Sequence, residues 1–459
     1  MEPIAVKEIV NAVEGELLCG NAETLIETVT TDSRKSGKNM LFIPLVGDTF
    51  DGHEFIGAAF NMGAVCALTH KDCEAVCSGA IIRVKDTKKA LADLARFYLQ
   101  KFSVPVIALT GSVGKTTTKD MVAAALGEKY RVLKTQGNFN NDIGLPLTIF
   151  NLDKEHEIVV LEMGMNHFGE IHHLVSIARP QKAIITNVGM SHIENLGSRE
   201  GILKSKLEIT DYFGKDNILF SNADDDILGT IQSDRYKIIR YGIDNKNADY
   251  IADNIISKPE YVEFDVRYGR DSAHIKVNLP GIHNVYNALA AFAIAKSFDV
   301  SDEMIIDGIG SFLPSNMRMD IKKFGNCTLV NDCYNASPTS TVAALSVLST
   351  IEAKRRIAIL GDMLEMGDFA KEAHKEIGKT VFDMGIDVLL TVGKESENTN
   401  EGAISSGMNE EFVHHFESNA ALVSVLGEII NESDAVLVKA SRGMHFEQIV
   451  AGIENMFSK

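Results

Sequence analysis

The stretch Val104–Thr118, VPVIALTGSVGKTTT, constrains this chain more than any other. Its apolar run Val106-Ile107-Ala108-Leu109 suits a buried strand. The run breaks at Thr110-Gly111, and beyond Lys115 the residues Met121, Val122, Ala125 and Leu126 recur at helical spacing. Strand, glycine loop, helix is the order that a triphosphate needs. Gly111 and Gly114 let the backbone curl, so that N–H groups of Ser112, Val113 and their neighbours point at phosphate oxygens. The new helix adds the positive end of its dipole, Lys115 a mobile charge, and Thr116 beside Thr117 a hydroxyl for Mg²⁺.

The strict phosphate-loop pattern places a glycine where this chain has Leu109, so the loop here is the shorter G-x-x-G-K-T-T. An ordinary glycine turn capped by threonines is the bland alternative. Strand, helix, Lys and paired Thr all fall in register, and the stretch reads as a nucleotide site.

At 459 residues the chain is longer than one core usually supports, which points to about three domains. The balance of 63 acidic against 45 basic residues, net −18, disfavours nucleic acid and anionic membrane as partners. Cys19, Cys66, Cys73, Cys77, Cys327 and Cys333 include no pair at the two-residue spacing common in zinc sites, so they read as reduced structural thiols. Cys73 and Cys77 could share one helix face, but two ligands do not make a metal site. No basic leader with an apolar core opens the chain and no apolar run approaches a membrane span, so the expectation is a cytoplasmic protein.

The expected fold class is α/β in three domains. Residues 1–102 read as a small α/β unit. Ile4, Val6, Ile9, Val10 and Val13 suggest an opening helix, and LFIPLVG a strand; Asp86-Thr87 caps a helix whose apolar face carries Leu91, Leu94, Tyr98 and Phe102. Residues 103–313 alternate helices with the parallel strands EIVVLEM, KAIITNV and NILFSN. An antiparallel hairpin follows, Val262 to Tyr268 and Ile275 to Leu279 about Arg270-Asp271, then the apolar helix GIHNVYNALAAFAIAKSF. Residues 314–459 hold four strand candidates, TLVNDCY, RIAILGD, DVLLTVG and AVLVKAS, as a Rossmann-like unit.

Several residues carry chemistry if the fold brings them together. Glu162 ends a strand one removed from the phosphate loop, where a carboxylate holds the Mg²⁺ of a nucleotide or is satisfied by a helix N-terminus. His192 follows another strand end, where a lone histidine is more often merely solvated. Lys204 and Lys206 read from composition as an exposed pair on a helix. Asn138, Asn140, Asn141 and Asp142 are dense polar groups that serve either as turn formers or as contacts to a polar second substrate. NDCYNASPTS and GDMLEMGD pose the same choice.

Taken together these residues resemble the Mur ligases, ATP-dependent amino-acid-adding enzymes of peptidoglycan precursor synthesis. The resemblance spans the chain: TTDSRK, GDTFDGHEF, TGSVGKTTTKD, GNFNNDIGLP, LEMGMN, NVGMSHIENLGS, HNVYNALAA, MRMD, NDCYNASPTS, GDMLEMGD and KASRGMHFE. The NNDIGLP, NDCYNASP and GDMLEMGD set is similar to the branch that adds D-alanyl-D-alanine. The resemblance implies that ATP lies on Gly111–Thr117, with Asn287 at the adenine, Arg318 at the γ-phosphate and Asp332 at the ribose. It implies two Mg²⁺ sites held by Thr116, Glu162, His192 and an N-carbamylated Lys206. It implies that Ser33, Arg34, Phe50 and His53 hold a UDP-N-acetylmuramoyl tripeptide, and that the Asn138–Asp142 turn with Tyr334 and Asn335 meets substrate. The first domain would take the UDP-sugar, the second ATP and the third D-Ala-D-Ala, in a monomer with a hinge near residues 313–318. Catalysis would rest on Lys115, His192, Lys206 and Arg318, in the service of cell-wall synthesis, cell shape and division. Two other readings stay open: a ligase adding a different amino acid, and a nucleotide-regulated binding protein that hydrolyses ATP slowly as a switch.

Overall fold

A computed structural model describes residues 1–35, 37–71, 78–313 and 317–457. Cys73, Cys77 and part of the expected hinge lie outside the described residues.

The phosphate-loop strand, Val106–Thr110, lies inside a nine-stranded sheet, flanked by Lys182–Ile185 and Ile158–Glu162. All three run parallel, so Gly111, Glu162 and the Asn187 turn meet at one sheet end. Alternation sorts the strand's side chains between two cores. Ile107 and Leu109 face the helices Lys115–Gly127 and His283–Lys296, whereas Val106 and Ala108 face Gly144–Ile149 and Glu170–Ala178. Each fully buried Val, Ile or Leu here contributes about 1.5–3 kcal/mol of apolar burial.

The expected hairpin is present as Val262–Tyr268 and Asp271–Val277, antiparallel. It is joined by a strand that the sequence pattern did not reveal, Tyr250–Ser257, parallel to Lys237–Gly242 and antiparallel to Val262–Tyr268. A register shift between Asp253 and Ile256, with Asn254 at φ 53°, breaks its alternation and hides it.

The N-terminal five-stranded sheet runs Glu16–Cys19, Ala80–Arg83, Ala64–Thr69, Met40–Phe42, Thr28–Thr30, with only the first strand antiparallel. The opening helix is shorter than expected. Ile4 pairs with Ile26 in a two-stranded ribbon and the helix is Val6–Ala12. Asp86 caps the helix Thr87–Gln100 by accepting from the N–H groups of Lys88 and Lys89. That helix buries Leu91, Leu94 and Tyr98, while Phe102 lies beyond its end. The Tyr98 hydroxyl donates to the Leu152 carbonyl at 2.6 Å, anchoring the helix against the central sheet's layer.

The C-terminal sheet has six strands, with Asp320–Phe324 antiparallel on one edge. Its parallel strands include the four expected from sequence plus the edge strand Val413–Phe416. The last strand in the chain, Asp434–Lys439, inserts between Cys327–Asn331 and Arg355–Gly361. That order differs from the dinucleotide-binding arrangement within the same open α/β class.

Candidate active site

The phosphate loop is braced from below by the neighbouring strand's end. Val113 N–H donates to Asn187 Oδ1 at 3.0 Å, and the Val113 carbonyl accepts from Thr186 Oγ1 at 2.7 Å and from Asn187 Nδ2 at 3.0 Å. Ser112 N–H donates to the Asn187 carbonyl at 3.1 Å. Gly114 sits at φ 84°, where a Cβ would stand 2.7 Å from Asn287 Oδ1, so only glycine fits without strain. Lys115 folds back and donates to the Gly111 carbonyl at 2.7 Å. Burial holds its pKa below the ordinary lysine value, and Arg318 lowers it further, while Glu162 opposes both.

Asn287 does not point freely at the space above the loop. Its Oδ1 accepts from Thr118 Oγ1 at 2.9 Å and its Nδ2 donates to Asn284 at 3.0 Å, so the helix His283–Lys296 is tied beneath the loop. Glu162, 1 % exposed, accepts from Asn140 Nδ2 at 2.8 Å through Oε1; Oε2 is buried with no hydrogen-bond partner. A carboxylate is not left half-satisfied in a dry site without cost, so Oε2 is available to a cation. Of the Asn-rich turn, Asn140 orients Glu162, whereas Asn141 accepts from the N–H of Gly144 at 2.8 Å in plain turn chemistry.

The two lysines of the helix Arg199–Leu207 part company. Lys204 is exposed; Lys206 is 1 % exposed, and its amine has no hydrogen-bond or ion-pair partner among the described residues. Burial, reinforced by the charge of Lys115, drives its pKa well below the ordinary lysine value. The exposed-pair reading therefore holds for Lys204 and fails for Lys206.

His192 is bonded through Nδ1 to Glu365, a residue of the C-terminal sheet's GDMLEMGD loop. From the same unit, Asp332 accepts from the Met319 N–H at 3.1 Å and pairs with Lys439. Lys439, 2 % exposed, also donates to the Asn335 carbonyl at 3.0 Å and so fastens the turn that carries Tyr334. The Arg318 guanidinium stacks on the Tyr334 ring at 3.9 Å.

Most of these groups line one cavity of about 940 Å³, whereas Lys206 and Glu365 are not on its wall. Its wall takes Lys88 and Lys89 from the N-terminal helix and Ser112–Thr117, Asn138, Asn140, Asn141, Asp142, Glu162, His192 and Asn287 from the central unit. Arg318, Asp332, Tyr334, Asn335 and Lys439 close it from the C-terminal unit. A Lys88–Asp142 ion pair at 2.6 Å bridges the first two. Ser33, Arg34, Phe50 and His53 do not line it. Arg34 is exposed and forks onto Asp32, Phe50 is exposed, and the His53 ring is buried against Asp51 at 2.6 Å and His70.

Sequence reading passed over Thr186, Asn187, Lys439 and Glu365. Thr186-Asn187 was within sight as the polar end of KAIITNV, and Lys439 as a lysine ending AVLVKAS. The partner each one meets is far away in the chain.

Comparison with known proteins places this geometry. Residues 25–99 match the Mur ligase family catalytic domain, 109–295 the Mur ligase middle domain and 317–442 the Mur ligase glutamate ligase domain. The chain is 40% identical over 449 residues to the UDP-N-acetylmuramoyl-tripeptide–D-alanyl-D-alanine ligase of Bacillus subtilis, covering 97% of each. It is 34% identical to the enzyme of that name from Escherichia coli, covering 99% of each. Its fold superposes on a crystal structure of MurF from Acinetobacter baumannii with a TM-score of 0.92 at 30% identity, covering all of both chains. The MurF ligase of Thermotoga maritima, solved in complex with ADP, gives a TM-score of 0.84 at 27% identity, over 94% of this chain and 98% of that one. The chain belongs to the Mur ligase family.

Proposed function

We propose that this chain is an ATP-dependent ligase joining D-alanyl-D-alanine to a UDP-N-acetylmuramoyl tripeptide. The products are the UDP-N-acetylmuramoyl pentapeptide, ADP and phosphate, in peptidoglycan precursor synthesis. The observation that carries the reading is the single cavity where the phosphate loop, the Asn-rich turn and the Arg318–Asp332–Tyr334 face converge. In this reading residues 1–102 take the UDP-sugar, 103–313 ATP and 314–459 the dipeptide, and the reaction runs in the cytoplasm.

A carboxylate is a poor electrophile, so its oxygen first forms a bond to the γ-phosphorus of ATP as the bond to the ADP oxygen breaks. That transfer needs positioning and charge neutralisation rather than covalent help. The N–H groups of Ser112–Thr117 cradle the phosphates, and Lys115 and Arg318 bring cations to the transferring group. The dipeptide amine then attacks the acyl carbon, phosphate leaves with the bonding electrons, and the amine's proton is lost to leave an amide. Excluding water from the site during the reaction is what preserves an acyl phosphate until the amine attacks.

The residues present fit Mg²⁺. Glu162 Oε2 is buried and unpartnered among the described residues, His192 Nε2 has no partner among them, and Thr116 is buried on the same wall. Among the described residues no three His, Cys, Asp or Glu side chains form a metal cage, which suits an ion held by one or two carboxylates and substrate phosphates. Thr116, Glu162, His192 and a carbamylated Lys206 would hold Mg²⁺, whose chemistry is to neutralise phosphate charge. Lys206 is disposed to carbamylation because burial, with the charge of Lys115, shifts its amine toward the neutral form, which adds CO₂ with loss of a proton.

The test is an ADP-release assay with mass spectrometry of the product. Turnover should require the muramyl tripeptide and D-Ala-D-Ala together, and comparing tripeptides ending in L-lysine and in diaminopimelate reads the acceptor preference. ADP release without acceptor and without ligated product would favour the nucleotide switch instead.

A further inference from the structure

The GDMLEMGD motif, residues 361–368, has no part in the reaction as derived above. It leaves the strand Arg355–Gly361 as a loop pinned to its own unit. Asp362 Oδ1 accepts from Ser396 N–H at 2.7 Å, Met363 N–H donates to His374 Nε2 at 3.0 Å, and Leu364 N–H donates to Ser441 Oγ at 2.9 Å. The tip so fixed delivers Glu365 to the central unit. Its carboxylate takes His192 Nδ1, and its carbonyl accepts from Glu194 N–H at 3.3 Å. Gly367 allows the approach, since a Cβ there would stand 3.1 Å from Glu194 Cγ. His192 and Glu365 both hold left-handed backbone, φ 64° and 62°, a conformation that non-glycine residues keep only where the surroundings impose it. His192 lines the cavity, and its Nε2 has no partner among the described residues.

We infer that Glu365 is a positioning residue that fixes the His192 ring from across the seam, presenting Nε2 to the reaction cavity only when the C-terminal unit is docked. A carboxylate on one imidazole nitrogen sets the tautomer and aims the other. Because the carboxylate belongs to a different unit from the histidine, the phosphoryl-transfer site is complete only once the dipeptide-binding face has arrived. Productive ATP use is thereby coupled to the presence of both halves of the site. The inference rests on the ligase reading.

The test uses the full chain with Mn²⁺ as probe, its affinity in the presence of ADP read by electron paramagnetic resonance. Glu365→Ala should weaken Mn²⁺ by about 10- to 100-fold and lower kcat, with the KM for D-Ala-D-Ala within about twofold. Glu365→Gln, whose carbonyl oxygen accepts the same N–H, should restore Mn²⁺ affinity to within about threefold. Gly367→Val, which leaves both partners in place but props the seam apart, should weaken Mn²⁺ as Glu365→Ala does. Adding Glu365→Ala to His192→Ala should cost nothing more. Unchanged Mn²⁺ affinity in Glu365→Ala, failure of the Gln rescue, or additive losses would each overturn the inference. A wild-type enzyme that makes no amide product would instead refute the ligase reading.

Discussion

Lys206→Met should make the resting protein more stable while abolishing ligation. The wild-type residue is 1 % exposed, and its amine forms no hydrogen bond or ion pair among the described residues. A buried polar group left unsatisfied costs about 1–3 kcal/mol, more when charged. Methionine keeps the length and flexibility of the side chain without that penalty. A gain of about 1–3 kcal/mol is expected, and at about 2–4 °C per kcal/mol for a unit of this size the central transition should rise by roughly 2–12 °C. The pH dependence follows from the direction of the shift. Burial lowers the folded-state pKa of Lys206 below the ordinary 10.5. Between the two values the unfolded chain binds more protons, so wild-type stability climbs with pH and the gap to the variant closes as pH nears 10.5. Calorimetry in CO₂-depleted buffer measures the gap, and added bicarbonate should stabilise wild type alone. A variant at least 1 kcal/mol less stable than wild type, or a gap independent of pH, would refute the reasoning.

Four further perturbations test other parts of the site. Lys115→Ala should lower kcat about 100- to 1000-fold by removing a cation from the transferring phosphoryl group, and near-normal steady-state turnover would count against it. Gly114→Ala puts a Cβ against Asn287 at φ 84°; the left-handed penalty of about 1–2 kcal/mol should weaken ATP by roughly tenfold or more in calorimetric titration. Lys439→Met strands Asp332 beside a vacated cation site, so chemical denaturation should show a loss of about 3 kcal/mol in the C-terminal unit. His283 is pushed down to about 4 by burial. The unfolded chain therefore binds its proton first, stability should fall by on the order of 3 kcal/mol as pH drops from 6.5 to 4, and His283→Asn should flatten that limb of the unfolding curve.

What was legible in the sequence is what local order determines. The phosphate loop shows in its own residues because strand, glycines and helix are contiguous, and the Asp86 cap reads directly from the chain. Glu162 was placed by topology, since a strand's C-terminal end is where a parallel sheet meets ligand. The rest needs three dimensions. Composition cannot separate Lys204 from Lys206, two residues apart on one helix; only packing buries the second. The braces Thr186-Asn187, the Lys439–Asp332 pair and the Glu365–His192 pair join residues that sit in different elements, so no local pattern records them. Tyr250–Ser257 was hidden for a different reason, because its bulge interrupts the alternation by which a half-buried strand is recognised.

The central claim is that the cavity transfers a phosphoryl group onto the tripeptide's carboxylate before the amide forms. The direct measurement is isotope transfer: the tripeptide carboxylate carries oxygen-18, and the phosphate released during ligation is analysed by mass spectrometry. The account predicts that each phosphate carries one labelled oxygen, in step with ADP and pentapeptide. Phosphate free of the label, released while pentapeptide accumulates, would contradict it.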